Sequence, residues 1–210
     1  MPSDAHTHFT TSLNDVNHLL WFHENAGGGG QGRRSSEFQA LNKSAIVLIC
    51  AAWESYVETV IMECAKKSIE SATGPDQMLR PLKKITQNHI RCGKVENTWQ
   101  LVAGDGWRAL TTSLVNSRVS GFNTPKPGPV KELFKEIIGI QDITNDWQWH
   151  HNPLGTPENR LKEFVQLRGA IAHGAILERT IRKVDVTSAK DLISRIVEIV
   201  DGRLVRENFI

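Results

Sequence analysis

Cysteine is scarce in this chain, and a long apolar run is missing. The three cysteines among 210 residues include no C-x-x-C pair. Cys50 and Cys64 lie on one predicted helix, about 21 Å apart along its axis, which is too far for a disulfide. The longest uninterrupted apolar run, 45–53, has nine residues, well short of the ~20 that a membrane span needs. These absences favour a reduced, soluble protein and argue against a membrane partner.

The N-terminus has no basic segment followed by an apolar one, so we predict no secretory signal and expect a cytoplasmic protein. Neither sign of charge dominates, because 25 Lys and Arg oppose 23 Asp and Glu and leave a net charge of +2. This balance excludes a histone-like polybasic binder. It allows a local basic groove, since nucleic-acid affinity depends on a few placed cations rather than on the total.

Helical periodicity dominates what is present, and strand-like alternation never extends beyond a few residues. An all-α fold is therefore predicted. The predicted helices cover 9–23, 37–70, two short stretches within 76–123, a segment from Pro129 to a stop at Gly139, a segment from an N-cap at Thr156 to about His173, and a last helix that starts at Ser188.

A glycine-rich run, 27–32, separates the first helix from the rest. It lacks the Gly-Lys-Ser/Thr ending of a phosphate-binding loop, and no predicted strand precedes it, so a flexible linker is favoured. We therefore divide the chain into 1–36, an N-terminal helix and linker, and 37–210, the main helical domain. The two parts are expected to form one globular unit.

An arginine breaks the apolar pattern of the predicted helix 156–173. The apolar stripe of this helix consists of Leu161, Phe164, Val165, Ile171 and Ala172. Arg168 lies within about 20° of the centre of that stripe. Because arginine keeps its charge, it must face a buried acid, a bound anion or a second subunit there. Breaks of this kind concentrate at functional sites.

His173 follows Arg168 by five residues, about 140° around the helix and 7.5 Å along it. One straight helix does not aim both side chains at one point. They can converge if the helix packs against its symmetry mate, so that one cleft collects an Arg and a His from each copy. The spacing alone leaves open a simpler alternative, an Arg–Glu ion pair inside the bundle with an incidental histidine at the helix end.

Three segments together resemble the RiboL-PSP-HEPN branch of the HEPN-domain proteins. Leu-Arg-Gly-Ala-Ile-Ala-His-Gly at 167–174 is similar to the R-x4-H signature of that family. Ala-Ala-Trp-Glu-Ser-Tyr-Val-Glu at 51–58, and 121–126 leading into 130–134, resemble two further segments of the branch. Their order and separation also fit, so the resemblance covers roughly 37–205.

The resemblance implies an all-α, HEPN-like bundle that dimerises through its motif helices, here with a helical and loop insertion in the middle. It also implies a metal-independent endoribonuclease without a cofactor, often a toxin or an antiphage defence effector. Arg168 and His173 are then the catalytic pair, which stabilises phosphate charge and moves protons during attack by the RNA 2′-hydroxyl. The expected partners are RNA, a second copy of the chain, and a cognate antitoxin or defence-system protein.

Family members often carry a polar residue directly after the motif arginine, where this chain has Gly169. A second hypothesis is therefore a catalytically inactive module of the same fold that binds RNA, nucleotide or a protein partner. A third is a structural helical bundle in which the motif is coincidental.

Four residues are candidates for supporting roles. Glu54 lies at the edge of the apolar stripe of the predicted helix 37–70, where it can reach a neighbouring helix and orient or neutralise Arg168. The alternative is a half-exposed glutamate without such a role. Arg179, Arg182 and Lys183 closely follow the motif and are candidates for steering phosphate, with a solvated basic face as the alternative.

No metal site is predicted. His6 and His8, and His150 and His151, have no Asp, Glu or Cys at a recognisable ligand spacing beside them. The loop 146–149, with its two tryptophans, is expected either to stack on RNA or, more simply, to pack on the bundle. Trp53 and Tyr56 are interpreted as core residues rather than as base-stacking ones.

Overall fold

A computed structural model describes residues 1–25, 36–93, 104–176 and 179–210. Over these ranges the chain forms helices and one isolated β-bridge, so the predicted all-α fold is confirmed. The predicted linker 27–32 lies outside the described residues. The helices of the described ranges are α1 (Asp4–Asn25), α2 (Ser36–Ser71), α3 (Arg80–Arg91), α4 (Gly106–Ser120), α5 (Pro127–Ile137), α6 (Thr156–Ala172) and α7 (Lys183–Arg206), with short 3-10 turns at Pro75–Gln77 and Ile143–Asp146.

The long helix α2 is covered by other helices over most of its length. α1 runs beside it, and α4, α5, α6 and α7 contact its remaining sides. By length and composition alone, the stretch Phe38–Ser71 is apolar enough to cross a membrane. More than half of its most apolar window is buried inside the fold, however, as in the core helix of a soluble protein. The apolar stripe that helical spacing predicts for α2 is buried along its length: Ile46, Ile49, Cys50, Trp53, Val57, Val60, Ile61 and Cys64.

Two aromatic residues of α2, Trp53 and Tyr56, connect this helix to distant parts of the chain. The indole N–H of Trp53 donates to the carbonyl of Pro125 at 2.9 Å, and its ring meets the edge of Trp147 at 6.2 Å between centroids. Tyr56 packs edge-on against Phe9 of α1. Both side chains are fully buried, so their interpretation as core residues is confirmed. Trp147 is also fully buried, so the loop 146–149 packs on the bundle through this residue.

Two helices begin one or two residues away from the predicted starts. α5 begins at Pro127 rather than Pro129, because Lys126 is extended and Pro127 fits the first helical position. Its apolar residues Val130, Leu133, Phe134 and Ile137 are all buried. α6 begins at Thr156 itself, so the N-cap is Gly155 and not Thr156. Gly155 has a φ of +86°, a conformation that glycine adopts without strain.

The predicted start of the last helix at Ser188 is wrong, since α7 begins at Lys183. The carboxylate of Asp185 accepts the backbone N–H of Arg182 at 2.7 Å and so caps the helix at a start five residues earlier than predicted. Val186 in this first turn is already buried. The Ser188 hydroxyl therefore lies within the helix instead of at its end.

The start of α1 is joined to α7 by a buried hydrogen-bond cluster. The hydroxyl of Ser3 accepts the backbone N–H of His6 at 2.9 Å, which makes Ser3 the N-cap of α1. The same hydroxyl donates to the carboxylate of Asp201, which also accepts the Ser3 N–H at 3.3 Å. Asp201 is 5% exposed. Through this cluster and the apolar side of α1, the N-terminal helix shares one core with the others. The domain boundary at residue 36 stays a prediction.

We expect Asp201→Ala to lower the free energy of unfolding by about 2–3 kcal/mol, because it removes a buried charged acceptor and leaves the Ser3 groups without a partner. Urea denaturation followed by circular dichroism measures this loss. Asp191→Ala, at an exposed position of the same helix, is the matched control and should stay within about 0.5 kcal/mol of wild type. Equal effects of the two substitutions would contradict a stabilising role for the cluster.

Candidate active site

Helix α6 is buried in its first half and emerges from the bundle in its second half. Leu161, Phe164 and Val165 are buried. Residues 167–171 are each partly exposed, and 172–176 are exposed. The apolar stripe of the helix thus continues past the point where the protein's own chain covers it. Both predicted catalytic residues lie on this half-covered stretch.

Arg168 lies beside Glu54 of α2. Its Nη2 is 3.9 Å from Oε2 of Glu54, which is an electrostatic contact but too long for a hydrogen bond. The side chain of Arg168 is 33% exposed and that of Glu54 is 20% exposed. The Nε of Arg168 is buried and has no hydrogen-bond partner within the described parts of the chain. A buried donor without a partner costs about 1–3 kcal/mol, so packing in the single chain does not satisfy this nitrogen.

Other arginines of the protein are held more firmly by their carboxylates. Arg203 reaches Asp146 at 2.5 Å and Glu207 at 3.0 Å. Arg179 forms a two-pronged contact with Asp185, at 2.7 and 2.9 Å. These short, charge-assisted hydrogen bonds are typical of structural arginines. The looser contact of Arg168 leaves its guanidinium available to another anion.

The edge of α2 next to Arg168 carries two carboxylates and a thiol. Cys50, Glu54 and Glu58 follow one another at four-residue spacing, so they share one side of the helix. Burial raises the pKa of Glu54, and the charge of Arg168 offsets this rise only in part. Burial and the neighbouring Glu54 raise the pKa of Glu58, and burial raises the pKa of the Cys50 thiol to about 11. A further positive charge beside this edge would therefore stabilise the ionised forms of Glu54 and Glu58.

His173 is the C-cap residue of α6. The N–H of Gly174 donates to the carbonyl of Ile171 at 3.2 Å, and the N–H of Ala175 donates to that of Ala170 at 2.9 Å. This pair of bonds is a Schellman motif, and it requires the left-handed conformation that Gly174 adopts at a φ of +67°. The motif fixes the backbone of His173 at the end of the helix, and the residue is exposed there.

The three cations predicted to steer phosphate lie at the start of α7. Arg179 is bound to Asp185, and Lys183 is bound to Glu24 of α1. Arg182 is exposed. Two of the three are thus already paired, Arg179 with a carboxylate of α7 and Lys183 with a carboxylate of α1, and a phosphate would have to compete with those carboxylates. Their role in steering RNA stays a prediction.

The sequence analysis missed an exposed stripe on α2, here called the open face. It consists of Ser44, Leu48, Ala51 and Ser55. Leu48 is 37% exposed although it lies in the middle of the central helix. The open face borders Glu54, which is adjacent to Ser55 in the chain. Three of its four residues are small, and this run of small residues at helical spacing is the sequence pattern that indicates an open side of α2. The stronger apolar periodicity of the helix masks it.

The histidine pairs lie on other elements than Arg168 and Glu54, with His6 and His8 on α1 and His150 and His151 in the loop before α6. The rings of His150 and His151 lie 3.6 Å apart, in a turn closed by the bridge between Trp149 and Asn152. Within the four described ranges, no group of three or more His, Cys, Asp or Glu side chains is arranged to hold a metal ion.

Comparison with known proteins gives one informative finding. A family model described as RiboL-PSP-HEPN matches residues 11–206, a span that contains most of α1 and all of α2 to α7. Curated proteins and solved structures give no match.

We expect Glu54→Gln to be more stable than wild type at neutral pH. Because burial raises the native pKa of Glu54, the native state holds this proton more tightly than the unfolded state does. Wild-type stability therefore falls as pH rises from the unfolded pKa through the raised native one, and the amide variant escapes this loss. Urea denaturation between about pH 4 and 8 should show a stability difference that grows with pH and then levels off.

Glu163→Gln, at an exposed position on α6, is the control for this measurement and should follow the wild-type pH profile. A difference between Glu54→Gln and wild type that reverses sign at neutral pH would mean that the contact with Arg168 outweighs the burial of the carboxylate.

Proposed function

Since this chain belongs to the RiboL-PSP-HEPN family, as its three segments predicted, we propose that it is a metal-independent endoribonuclease with Arg168 and His173 as its catalytic pair. HEPN domains are often nucleases or RNA-binding modules. The observation that carries the proposal is the state of Arg168. Its guanidinium is partly buried, 3.9 Å from its nearest carboxylate, and has a buried Nε without a partner among the described residues. The exposed part of the side chain, rather than the buried Nε, is available to bind an RNA phosphate.

The proposed reaction uses the RNA's own 2′-hydroxyl as the nucleophile. The 2′-oxygen forms a bond to the adjacent phosphorus, the bond from phosphorus to the 5′-oxygen breaks, and a 2′,3′-cyclic phosphate and a 5′-hydroxyl remain. Negative charge builds on the phosphate oxygens during this step, and the planar fork of Arg168 binds two such oxygens at once. His173 takes the proton of the 2′-hydroxyl, and the histidine of a second copy protonates the departing 5′-oxygen.

A homodimer through α2 and α6 is part of the proposal. Arg168 and His173 diverge around α6, so both reach one phosphate only in a cleft that two copies form. The half-covered end of α6 and the small residues of the open face allow a second copy to approach closely. The edge with Glu54 and Glu58, where burial raises both carboxyl pKa values, receives the positive charge of the second Arg168.

The proposed biological role is that of a cytoplasmic toxin or antiphage effector. An RNase that needs neither metal nor cofactor has no built-in restraint, because RNA is always present in the cytoplasm. A cognate antitoxin or a defence-system partner is therefore proposed as the restraint.

Gly169 favours a second candidate function, an inactive module that binds RNA, nucleotide or a protein partner. A Cβ at this position meets nothing within 4 Å in the single chain, so packing within the chain does not require glycine. Glycine inside a helix costs about 1 kcal/mol relative to alanine. The missing side chain then reflects either room for the second copy or the loss of a substrate contact.

We expect wild type to cleave a mixed RNA pool in the presence of EDTA and to leave cyclic-phosphate ends. His173→Ala and Arg168→Ala should each cut slower by about 100-fold or more, because they remove the proton-transfer group and the phosphate ligand. Their melting temperatures should stay close to that of wild type. His18→Ala, at an exposed position of α1, is the control and should retain full activity.

Equal cleavage by wild type and His173→Ala would contradict the assignment of His173. Tight RNA binding without cleavage by wild type would favour the inactive module instead.

We expect wild type to sediment as a dimer at micromolar concentration and Leu48→Arg to sediment as a monomer. The added charge on the open face has to be buried without a partner when two copies meet. Leu154→Arg places the same charge on another exposed leucine, 56% exposed in the loop before α6, and should leave the dimer intact. A wild-type monomer in analytical ultracentrifugation would contradict the composite site.

A further inference from the structure

The helix α3 carries an excess of positive charge that the proposed cleavage site does not use. Its sequence, Arg-Pro-Leu-Lys-Lys-Ile-Thr-Gln-Asn-His-Ile-Arg, has four Lys or Arg residues and no Asp or Glu. The whole chain, by contrast, has nearly balanced charge, with 25 cations against 23 anions. The excess on α3 is therefore a local feature of one surface.

Three of these cations form a row along one side of α3, here called the α3 row: Arg80, Lys84 and Arg91. Spacings of four and seven residues place them within an arc of about 40°, over about 16 Å of helix axis. All three are exposed, and so are the amides Gln87 and Asn88 beside them. In the described parts of the chain, no carboxylate forms a salt bridge with the α3 row.

The opposite side of α3 fastens the helix to the bundle. Leu82 is fully buried, and the hydroxyl of Thr86 lies 2.8 Å from that of Thr111 in α4. Lys83 turns away from the row and donates to the carbonyl of Asp76 at 2.8 Å. The α3 row is thus presented to solvent on an anchored helix, which reduces the entropy lost when it binds a ligand.

An open groove of about 1290 Å³ lies beside the α3 row, between α3, α4 and α5. Arg80 and Lys84 stand at its rim, and Ile85, Leu114 and Ile138 contribute apolar surface. The wall formed by α5 carries Glu132 and Glu136 against Lys135 and is net negative, so the positive charge of the groove comes from α3 and from Arg118 of α4. Cations beside an apolar surface suit single-stranded nucleic acid, with phosphates on the cations and base faces on the apolar part.

We propose that the α3 row is a second RNA-binding site, which holds the phosphate backbone of the substrate at a distance from Arg168 and His173. The inference rests on the proposed ribonuclease function and deepens it by assigning a length requirement to the substrate. An acidic protein also complements the row in charge, but the apolar groove beside it favours a strand that carries both phosphates and flat bases.

The offset along the α2 axis between the start of α3 and Glu54 gives the scale of that length requirement. The N–H of Leu79, just before α3, donates to the hydroxyl of Ser68 on α2 at 2.9 Å. Ser68 lies about 21 Å along α2 from Glu54, the contact of Arg168. At about 3.4 Å per stacked nucleotide, this separation corresponds to about six nucleotides. Shorter RNAs reach the cleavage site without touching α3.

The test compares two double variants that each remove one exposed Lys and one exposed Arg. Lys84→Gln with Arg91→Gln alters the α3 row. Lys162→Gln with Arg206→Gln changes the net charge equally on α6 and α7. Binding of a labelled single-stranded RNA of about 20 nucleotides is measured by fluorescence anisotropy over a range of salt, with His173→Ala added to every protein so that the RNA stays intact.

We expect the α3 variant to bind the RNA about 10- to 25-fold more weakly than its parent at about 0.1 M salt, with a salt slope of log K lower by about 1.4, since two phosphate contacts are lost. The control variant should stay within about twofold of its parent. With His173 restored, the α3 variant should cut the long RNA more slowly and a trinucleotide as fast as wild type does.

Equal weakening by both double variants would overturn the proposal, because it would mean that only net charge matters. Unchanged RNA affinity of the α3 variant would also overturn it and point to an acidic protein instead. Failure of the ribonuclease function has a different signature, no cleavage by wild type, and the binding comparison still decides the role of α3. Matching melting temperatures of the variants exclude unfolding as the cause.

Discussion

The burial of α2 is the constraint on which the rest of this structure depends. A helix with apolar residues over so much of its circumference needs partners on several sides, and five other helices contact it. Trp53 also fixes where one of these partners must lie, because its buried indole N–H needs an acceptor and donates to the carbonyl of Pro125. That bond positions the segment leading into α5, while Trp147 and Phe9 pack around Trp53 and Tyr56. The N-terminal helix, the middle of the chain and the loop before α6 thus meet at one cluster.

The candidate site lies where this cover of α2 ends. Glu54 faces α6 at the border of the open face, and Arg168 meets it at the point where α6 itself emerges from the bundle. Both side chains are partly buried without a close hydrogen bond between them. A fold that completed its own packing would either bury apolar residues here or bond the arginine firmly, as it does with Arg203. The looseness of the contact supports the proposal that Arg168 binds a further anion.

The sequence predicts the core of this protein better than its surface. The spacing of residues such as Ile49, Trp53 and Val60 predicts their burial, because apolar periodicity reports directly on packing. Arg168 is found by the same rule, as a charge within an apolar stripe. The exposure of Leu48 is not predicted by this rule, because the sequence pattern of a mostly buried helix is the same whether or not a neighbouring element covers that residue. The predicted start of α7 is wrong because Ser188 and Asp191 have the spacing of a capping box, whereas the helix is capped by Asp185, whose carboxylate accepts the backbone N–H of Arg182.

The cluster of Ser3 and Asp201 has a consequence for the making of this protein. Its two residues are separated by 198 positions, nearly the whole chain, so the contact cannot form until the ribosome has added α7. At about 5–20 residues per second, translation delays it by about 10–40 s after Ser3 is made. Throughout that interval the apolar side of α1 and the cap at its start lack their last partner. The contact that joins α1 to α7 is therefore among the last to form, although α1 packs mostly against α2, which is made early.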